Sequence, residues 1–418
     1  IMTAKIKLNA ASGGGSVSIQ APSSESNNRT LTLPTDADGT IVSKDTTNNL
    51  ANIASINGGS IGTKNLVING AMNVAQRSEN YLGAQSSSTS TGYQTVDRFQ
   101  VLWAGAGSAG SLTQEQSDVS SGTTPYTLGF RKALKATNGT DGSVGATDYA
   151  HLFTKLEAQD IAQSGWNYTS SSSFITLSFY VKSSVAQNFY GYIKTYDATY
   201  TYPFETGALS ANTWTKVTKT IPGNSNLVFN NDNGQGLLIL LNPYLGTAYT
   251  DSSASLNTWV STNDAARTPD FATTWWTTND ATFEITGVQL EVGSSASAFA
   301  HESYTETLTK CQRYLYKITM GINSSFIFRT FWRFSGSSGH AYNHVDFPVE
   351  MRTDPSFTQD GTTYTASAYT GDVALQSSFR TGATLKTSQS GLAANSNTYL
   401  RPNNTSGSYL NLLFSAEL

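Results

Sequence analysis

The chain has 418 residues, too many for one ordinary hydrophobic core, and predicts two to four domains. Only 13% of those residues are charged, about half the roughly 25% of an average soluble domain. With 25 basic and 29 acidic residues the net charge is −4, which speaks against nucleic acid as a partner.

Ser, Thr, Asn and 35 Gly stand where charges usually do. Such a chain builds strands and turns, because Ser, Thr and Asn compete with helical backbone bonding while Gly and Asn accommodate turns. An aromatic content of 11% supplies bulk for cores and argues against pervasive disorder. The single cysteine, Cys311, leaves no intrachain disulfide, so packing alone must hold the fold. No stretch approaches the roughly 18 consecutive apolar residues of a membrane span, so no membrane insertion is expected. The first residues show no basic-then-apolar secretion signal.

Residues 1–46 read as short strands and flexible turns. Ile6 and Leu8 alternate, as do Val17 and Ile19, then Leu31 and Leu33, with Ile41 and Val42 closing the run. So small a sheet is marginal alone, and association with copies of itself or with another protein is expected. Gly13, Gly14 and Gly15 lack the following Gly-Lys-Ser/Thr of a phosphate cradle and read as a turn. Residues 47–64 form a linker, in which Leu50, Ile53 and Ile56 offer a hinge first and a short coiled-coil stub second.

Residues 65–302 are the largest domain. Ile175, Leu177, Phe179 and Val181 face one side of a strand, and residues 213–223 form another. GLLILLNPYL at 236–245 is apolar on both faces and belongs in mid-sheet. Phe283 and Ile285 alternate with polar neighbours until Gly287, where a bulge is expected. Residues 303–317 predict a connecting helix with Tyr304, Leu308, Cys311 and Leu315 on its apolar stripe and Glu306 paired to Lys310. Cys311 there is a small buried hydrophobe. From 318 to 418 strands return. One covers 345–358, interrupted by Pro348 and ended by Pro355, and the last carries Leu410, Leu412, Phe414, Ala416 and Leu418 on one face.

The run ITGVQLEVGSSASAFAHESYTETLTKCQRYLYK at 285–317 resembles the closing strand and exit segment of a jelly-roll module found in bacteriophage virion proteins, particularly tail fibres. The matching residues are 287–292, Phe299, His301, Ser303 and Tyr304, and 311–314; Ala298 and Ala300 depart from that pattern's Pro and Glu. NLVINGAMNVAQR at 65–77 is similar to the module's opening segment, and TVDRF at 95–99 to its "VDRW". Residues 134–292 resemble carbohydrate-binding-module jelly rolls, residues 1–46 the N-terminal element of tail fibres, and FPVEMR with the final AEL the domain that accompanies the module. The resemblance implies an all-β chain: N-terminal attachment or shaft element, central jelly-roll sandwich, short linking helix and C-terminal β tip, assembled as a homotrimer because such modules commonly pack three-fold. It also implies a virion component assembled in the host cytoplasm, joined to phage tail or head proteins through its N-terminus.

Chemistry is sparse in the sequence. The histidines are His151, His301, His340 and His344, and no G-x-S-x-G elbow occurs. His340, Tyr342, His344 and Asp346 share a strand face, an exposed polar face or subunit contact first and a divalent-metal cluster second, the latter only where a bulge or three copies at an axis close the gap of about 13 Å between His340 and His344 at about 3.3 Å per residue. Acids such as Glu157, Asp160, Glu205, Asp232, Glu284 and Glu291 are not paired by any pattern. Loops 141–148 and 230–234 offer oxygen ligands for a structural calcium, yet their Asp-Gly and Asn-Gly steps are also ordinary turns, and no cofactor is expected.

Aromatic side chains are the remaining candidates. Tyr190, Tyr192, Tyr196, Tyr200 and Tyr202 share parity and suit one packed sheet face or a subunit interface, with glycan stacking the alternative. Trp259, Trp275 and Trp276 sit in a loop-rich stretch, and Tyr342, Tyr364 and Tyr399 neighbour polar loops of the C-terminal domain, so both sets are candidate glycan contacts. The expected function is a non-enzymatic tail-fibre adhesin contacting host-surface polysaccharide. The alternatives are a purely structural spacer and a polysaccharide depolymerase.

Overall fold

The computed structural model describes residues 65–77, 91–105, 112–139, 144–321, 338–361, 373–389 and 409–418, with short strands at 5–9, 16–20, 55–56, 59–60, 87–88, 331–335, 364–366 and 369–371. The fold is all-β. The chain divides into two compact units, residues 1–53 and 54–418.

In the first unit, β1 (Lys5–Asn9) pairs antiparallel with β2 (Ser16–Gln20), placing Ile6 opposite Ile19 and Leu8 opposite Val17. The alternation expected there is therefore matched in register. Leu31, Leu33, Ile41, Val42, Leu50 and Ile53 lie outside the described residues. The second unit opens with a tiny hairpin, β3 (Ser55–Ile56) on β4 (Gly59–Ser60), so Ile56 belongs to a strand rather than to a helical stub. A glycine pair at 58–59 ends any helix before it can gain a second turn.

The sandwich that follows is built from β5 (Ser87–Ser88), β6 (Phe99–Ala104), β7 (Thr113–Asp118), β8 (Lys132–Thr137), β9 (Tyr149–Glu157), β10 (Phe174–Ser183), β11 (Asn188–Thr195), β12 (Tyr200–Ala208), β13 (Thr215–Pro222), β14 (Gln235–Leu245), β15 (Val260–Ser261) and β16 (Thr282–Val292). The first sheet runs β13-β10-β16-β8-β7-β5 and the second β15-β12-β11-β14-β9-β6. Short helices interrupt the strands: α1 (Thr124–Thr127), α2 (Ala158–Ala162) and α3 (Thr274–Thr277). Ile175, Leu177, Phe179 and Val181 of β10 are all fully buried between the sheets, as their alternation requires. β14 lies between β11 and β9, and its other face carries Leu238 and Leu240 in a separate apolar cluster with Phe153 and Tyr192. A strand flanked on both edges and covered on both faces explains its unbroken apolar run.

The five tyrosines do not share a face. Tyr202 pairs with Ile193 and packs in the sandwich core, whereas Tyr190 and Tyr192 point to the outer side of the second sheet. The hairpin at 195–200 sets the register, and with it which parity turns inward.

The opening and closing motifs meet in space. Asn65 Nδ2 donates to the Val288 carbonyl at 3.1 Å, its Oδ1 accepts from the Leu290 N–H at 3.0 Å, and Leu66 N–H donates to Leu290 O at 2.9 Å. Gly70 is needed at this contact, since a Cβ there would lie 2.0 Å from the Val288 carbonyl oxygen. Asn69, at φ +60°, bonds Val74 and Asp97 with its amide, while Asp97 accepts the Gln76 N–H at 2.9 Å. Gly287 has φ +63°, and the β10–β16 register shifts between Ser178 and Tyr180 beside it, so the expected bulge is present.

Helix α4 (Tyr304–Gln312) is shorter than its periodicity predicts. Ser303 and Glu306 form a reciprocal capping box, so Lys310 pairs with Glu302 instead of Glu306. Tyr304 is 58% exposed; Thr307 and Cys311 are the buried positions, and Leu315 already belongs to β17 (Leu315–Gly321).

The C-terminal region continues with β18 (Phe331–Ser335), β19 (Ser338–Asp346), β20 (Ser356–Gly361), β21 (Tyr364–Ala366), β22 (Tyr369–Gly371), β23 (Ala374–Phe379), β24 (Gly382–Gln389) and β25 (Tyr409–Ser415). β25 is the middle strand of β17-β25-β20, and its Leu410, Leu412 and Phe414 are fully buried, with Ala416 joining the same core. Residues 347–355 are not a strand: β19 stops before Pro348 and β20 begins after Pro355. Two prolines without N–H groups cannot extend a ladder across that stretch.

This region is joined to the sandwich by buried charge. Glu157, whose side chain is fully buried, accepts Arg313 Nε and a second guanidinium nitrogen at 2.8 Å each and the Tyr314 hydroxyl at 2.5 Å. Glu417 pairs with buried Arg98 and, at 3.2 Å, with Arg77. Arg352 donates to the carbonyls of Ala416 at 2.7 Å and Glu417 at 2.8 Å.

Candidate functional site

The tryptophans are core residues. Trp275 and Trp276 have no exposed surface and Trp259 is 8% exposed. Trp275 Nε1 donates to Thr282 O at 3.1 Å, Trp259 Nε1 to Pro222 O at 2.7 Å, and Trp276 stacks on Tyr244 at 5.0 Å. None offers a ring face to a glycan, which corrects their assignment as contacts. A polar loop composition hid them because α3 folds the Trp pair back against the sandwich. Tyr342 is half-buried on β19, Tyr364 lies on β21, and Tyr399 falls outside the described residues.

The outer face of the second sheet gathers different residues. Neighbouring strands align Leu102, His151, Asn242, Tyr190 and Glu205 in one row and Phe153, Leu240, Tyr192 and Pro203 in the next. The loop after β14 carries Tyr249 to this face, and the loop after β15 carries Arg267. Tyr149 stacks on His151 with centroids 4.5 Å apart and meets Tyr249 edge-on at 6.2 Å. The Arg267 guanidinium lies 4.8 Å over the Tyr249 ring and bonds Asp264 at 3.1 Å, while Lys194 Nζ sits 5.5 Å over the ring of Tyr196, which is 40% exposed. Burial pushes the Tyr192 hydroxyl up to about 12, against the pull of Arg267.

This arrangement combines half-exposed rings, a guanidinium, a carboxylate and an ammonium on a rigid sheet. It can stack on and hydrogen-bond a polar, flat-faced ligand. The sequence reading missed Tyr149, His151, Tyr249 and Arg267. The alternation of Tyr149 and His151 along YAHLFTKLE is the signal that places both on one face; Tyr249 and Arg267 arrive by a loop that no periodicity announces.

His151 Nδ1 lies 2.6 Å from Asn242 Oδ1, which assigns the proton to Nδ1. Burial lowers its pKa from 6.5 to about 4, with the Asn242 bond acting in the opposite direction. The folded chain therefore keeps this imidazole neutral where the unfolded chain protonates it. The corresponding stability is complete above pH 6.5 and declines as pH falls towards 4, by about 3 kcal/mol in all. Urea midpoints of the wild type and His151→Gln at pH 7 and pH 4.5 check this: the wild type should lose more on acidification than the variant.

The acidic candidates are held in local contacts. Glu157 serves Arg313, Glu284 pairs with Lys182 at 2.9 Å, Glu205 accepts from Asn188 at 2.7 Å, and Asp232 accepts the Gly234 N–H at 2.9 Å. Glu291 binds the Ser297 N–H at 2.8 Å and its hydroxyl at 2.7 Å. Burial, then the Glu157 charge, raises the Asp160 carboxyl. His344 Nε2 lies 3.3 Å from Asp346. Among the described residues no group of three or more His, Cys, Asp or Glu could hold a metal ion, and no helix is long and apolar enough to cross a membrane.

No protein-family model and no curated protein matches the chain. Among solved structures, the enzymatically active domain of tailspike protein 4 from bacteriophage CBA120 is similar at 11% identity and TM-score 0.28, over 55% of this chain and 21% of that one. A putative sugar binding protein from Bacteroides thetaiotaomicron is similar at 12% identity and TM-score 0.25, over 55% of this chain and 99% of that one. The family 11 carbohydrate-binding module of Clostridium thermocellum, in complex with a mixed-linked tetrasaccharide, is similar at 10% identity and TM-score 0.23, over 50% and 97%. The match thus spans about a fifth of the tailspike chain. At these identities and scores the similarities are of all-β architecture and transfer no ligand, activity or source.

Proposed function

We propose that the chain is a non-enzymatic, glycan-binding subunit of a bacteriophage fibre, contacting host polysaccharide through the outer face of the second sheet. The observation that carries the glycan reading is the cluster of Tyr149, Tyr249, Arg267, Asp264, Lys194 and Tyr196 on that face. Aromatic rings meet the apolar faces of sugars, and the charged groups around them bond hydroxyls. The fibre reading rests on the phage-like opening and closing motifs, whose residues join to each other in this fold. In it, residues 1–46 attach the chain to the particle and three copies assemble.

The experiment is binding of the full chain to polysaccharide extracted from candidate host cells. Tyr249→Ala and Arg267→Ala should each weaken binding about tenfold, the scale of one aromatic or charged contact, with melting unchanged. The extract should release no new reducing ends. Undiminished binding by the double variant would remove the face from consideration, and loss on Tyr342→Ala instead would move the contact to the C-terminal region.

A further inference from the structure

The first sheet has its own recess, on the side of the sandwich opposite the face just described. Its roof is the segment 297–301 and its floor is the bulged middle of β10 and β16. A cavity of about 190 Å³ remains between them. Two outward side chains of β16 fix the roof: Glu291 takes the Ser297 N–H, and Gln289 Oε1 accepts the Ala300 N–H at 2.8 Å. At the far end His301 Nε2 lies 2.8 Å from the Leu128 carbonyl. Phe130, Phe299 and His301 form a mutual ring cluster with centroids 4.9 to 5.0 Å apart. Gly287 lets Phe130 lie against the strand, since a Cβ there would come within 2.7 Å of that ring. The walls are therefore set before any ligand arrives, which lowers the ordering cost of binding.

Ser297 and His301 of the lining are spent on Glu291 and the Leu128 carbonyl, which leaves Ser178, Tyr180 and Lys216 as its free polar groups. Ser178 is 4% exposed and Tyr180 8%, and neither hydroxyl has a hydrogen-bond partner within the chain among the described residues. Lys216 stands beside Tyr180 in the β10–β13 register and lines the same cavity. No acid pairs with it among the described residues; Lys132, Lys135 and Lys182 on the same sheet have carboxylate partners, while Lys219 on its own strand has none. Both hydroxyls open onto the cavity, where they are free to bond the polar atoms of a ligand. The volume is below the roughly 300–1,000 Å³ of pockets for drug-sized ligands and suits one six-membered ring.

We propose that this cavity binds a single carboxylated pyranose, a uronic-acid residue of a glycan, with its apolar face on Phe299 and Tyr180, its hydroxyls on Ser178 and Tyr180, and its carboxylate on Lys216. The site is distinct from the second-sheet face and does not depend on it. A neutral sugar would leave the lysine unused, and a plain aromatic acid would leave both hydroxyls unused.

The test is saturation-transfer NMR and competition titration on the full chain with methyl β-glucuronide, methyl β-galacturonide, methyl β-glucoside and benzoate. At least one uronide should bind tenfold or more tighter than the glucoside and benzoate, the scale of a hydrogen bond to a charged group. Lys216→Ala, at an exposed position, should bring the uronide to the level of the glucoside. Ala298→Phe should abolish binding by filling the recess, and its melting temperature reports whether it folds. No saturation of either uronide, equal binding of the glucoside or benzoate, or retention by Lys216→Ala would each overturn the proposal. Loss on Tyr249→Ala with retention by Lys216→Ala would place the uronide on the second sheet, sinking the cavity site while leaving the proposed function standing.

Discussion

Glu417→Ala is expected to cost about 3–5 kcal/mol of stability, the range for removing one partner of a buried ion pair. The cost arises at Arg98, which is 2% exposed, pairs with Glu417, and lies 3.4 Å from the centre of the Tyr314 ring. Arg98 also sits at φ +71°, a conformation that disfavours any side chain but is held by these contacts and by its bond to the Lys155 carbonyl at 2.7 Å. Without Glu417 the guanidinium remains buried with its charge uncompensated and its backbone strained. Chemical denaturation of wild type, Glu417→Ala and the double variant Glu417→Ala with Arg98→Met measures this. The double variant should recover part of the loss, because it removes the stranded charge. A single-variant loss below about 1 kcal/mol, the scale of surface pairs, would show that water reaches Arg98 and that the joint is not sealed.

The second large effect is Trp275→Ala, expected to destabilise by about 3–5 kcal/mol, as for large aromatic truncations in cores. The ring is fully buried, and its Nε1 bond to Thr282 ties α3 to the first residue of β16. The Trp275 backbone N–H also donates to Gln187 at 3.0 Å, so the helix is held from both sides. A loss of the proposed glycan binding by this variant would therefore follow its unfolding. The discriminating measurement is binding at a temperature well below the lowered melting point, where affinity should equal that of the wild type. Reduced affinity of the fully folded variant would return the Trp pair to the binding surface.

The sequence by itself determined the all-β class, the inward face of β10, the mid-sheet position of β14 and the core face of β25. Each of these follows from a local period of two or an unbroken apolar run, which neighbouring residues alone specify. It also located the bulge at Gly287 and the burial of Cys311, because a residue without Cβ inside a strand and a small thiol on an amphipathic stretch have few other uses. Only the tertiary structure decided which tyrosines of the β11–β12 hairpin face outward, since the turn register sets parity and no local pattern encodes it. It alone drew Trp275 and Trp276 into the core, ended α4 at Gln312 by committing Leu315 to β17, and brought Tyr249 and Arg267 onto Tyr149 and Tyr192. The two candidate ligand surfaces are of the same kind. Their residues come from strands and loops far apart in the chain, and Ser178, Tyr180, Lys216 and Phe299 become neighbours only when the antiparallel register and the bulge at Gly287 set them around one space.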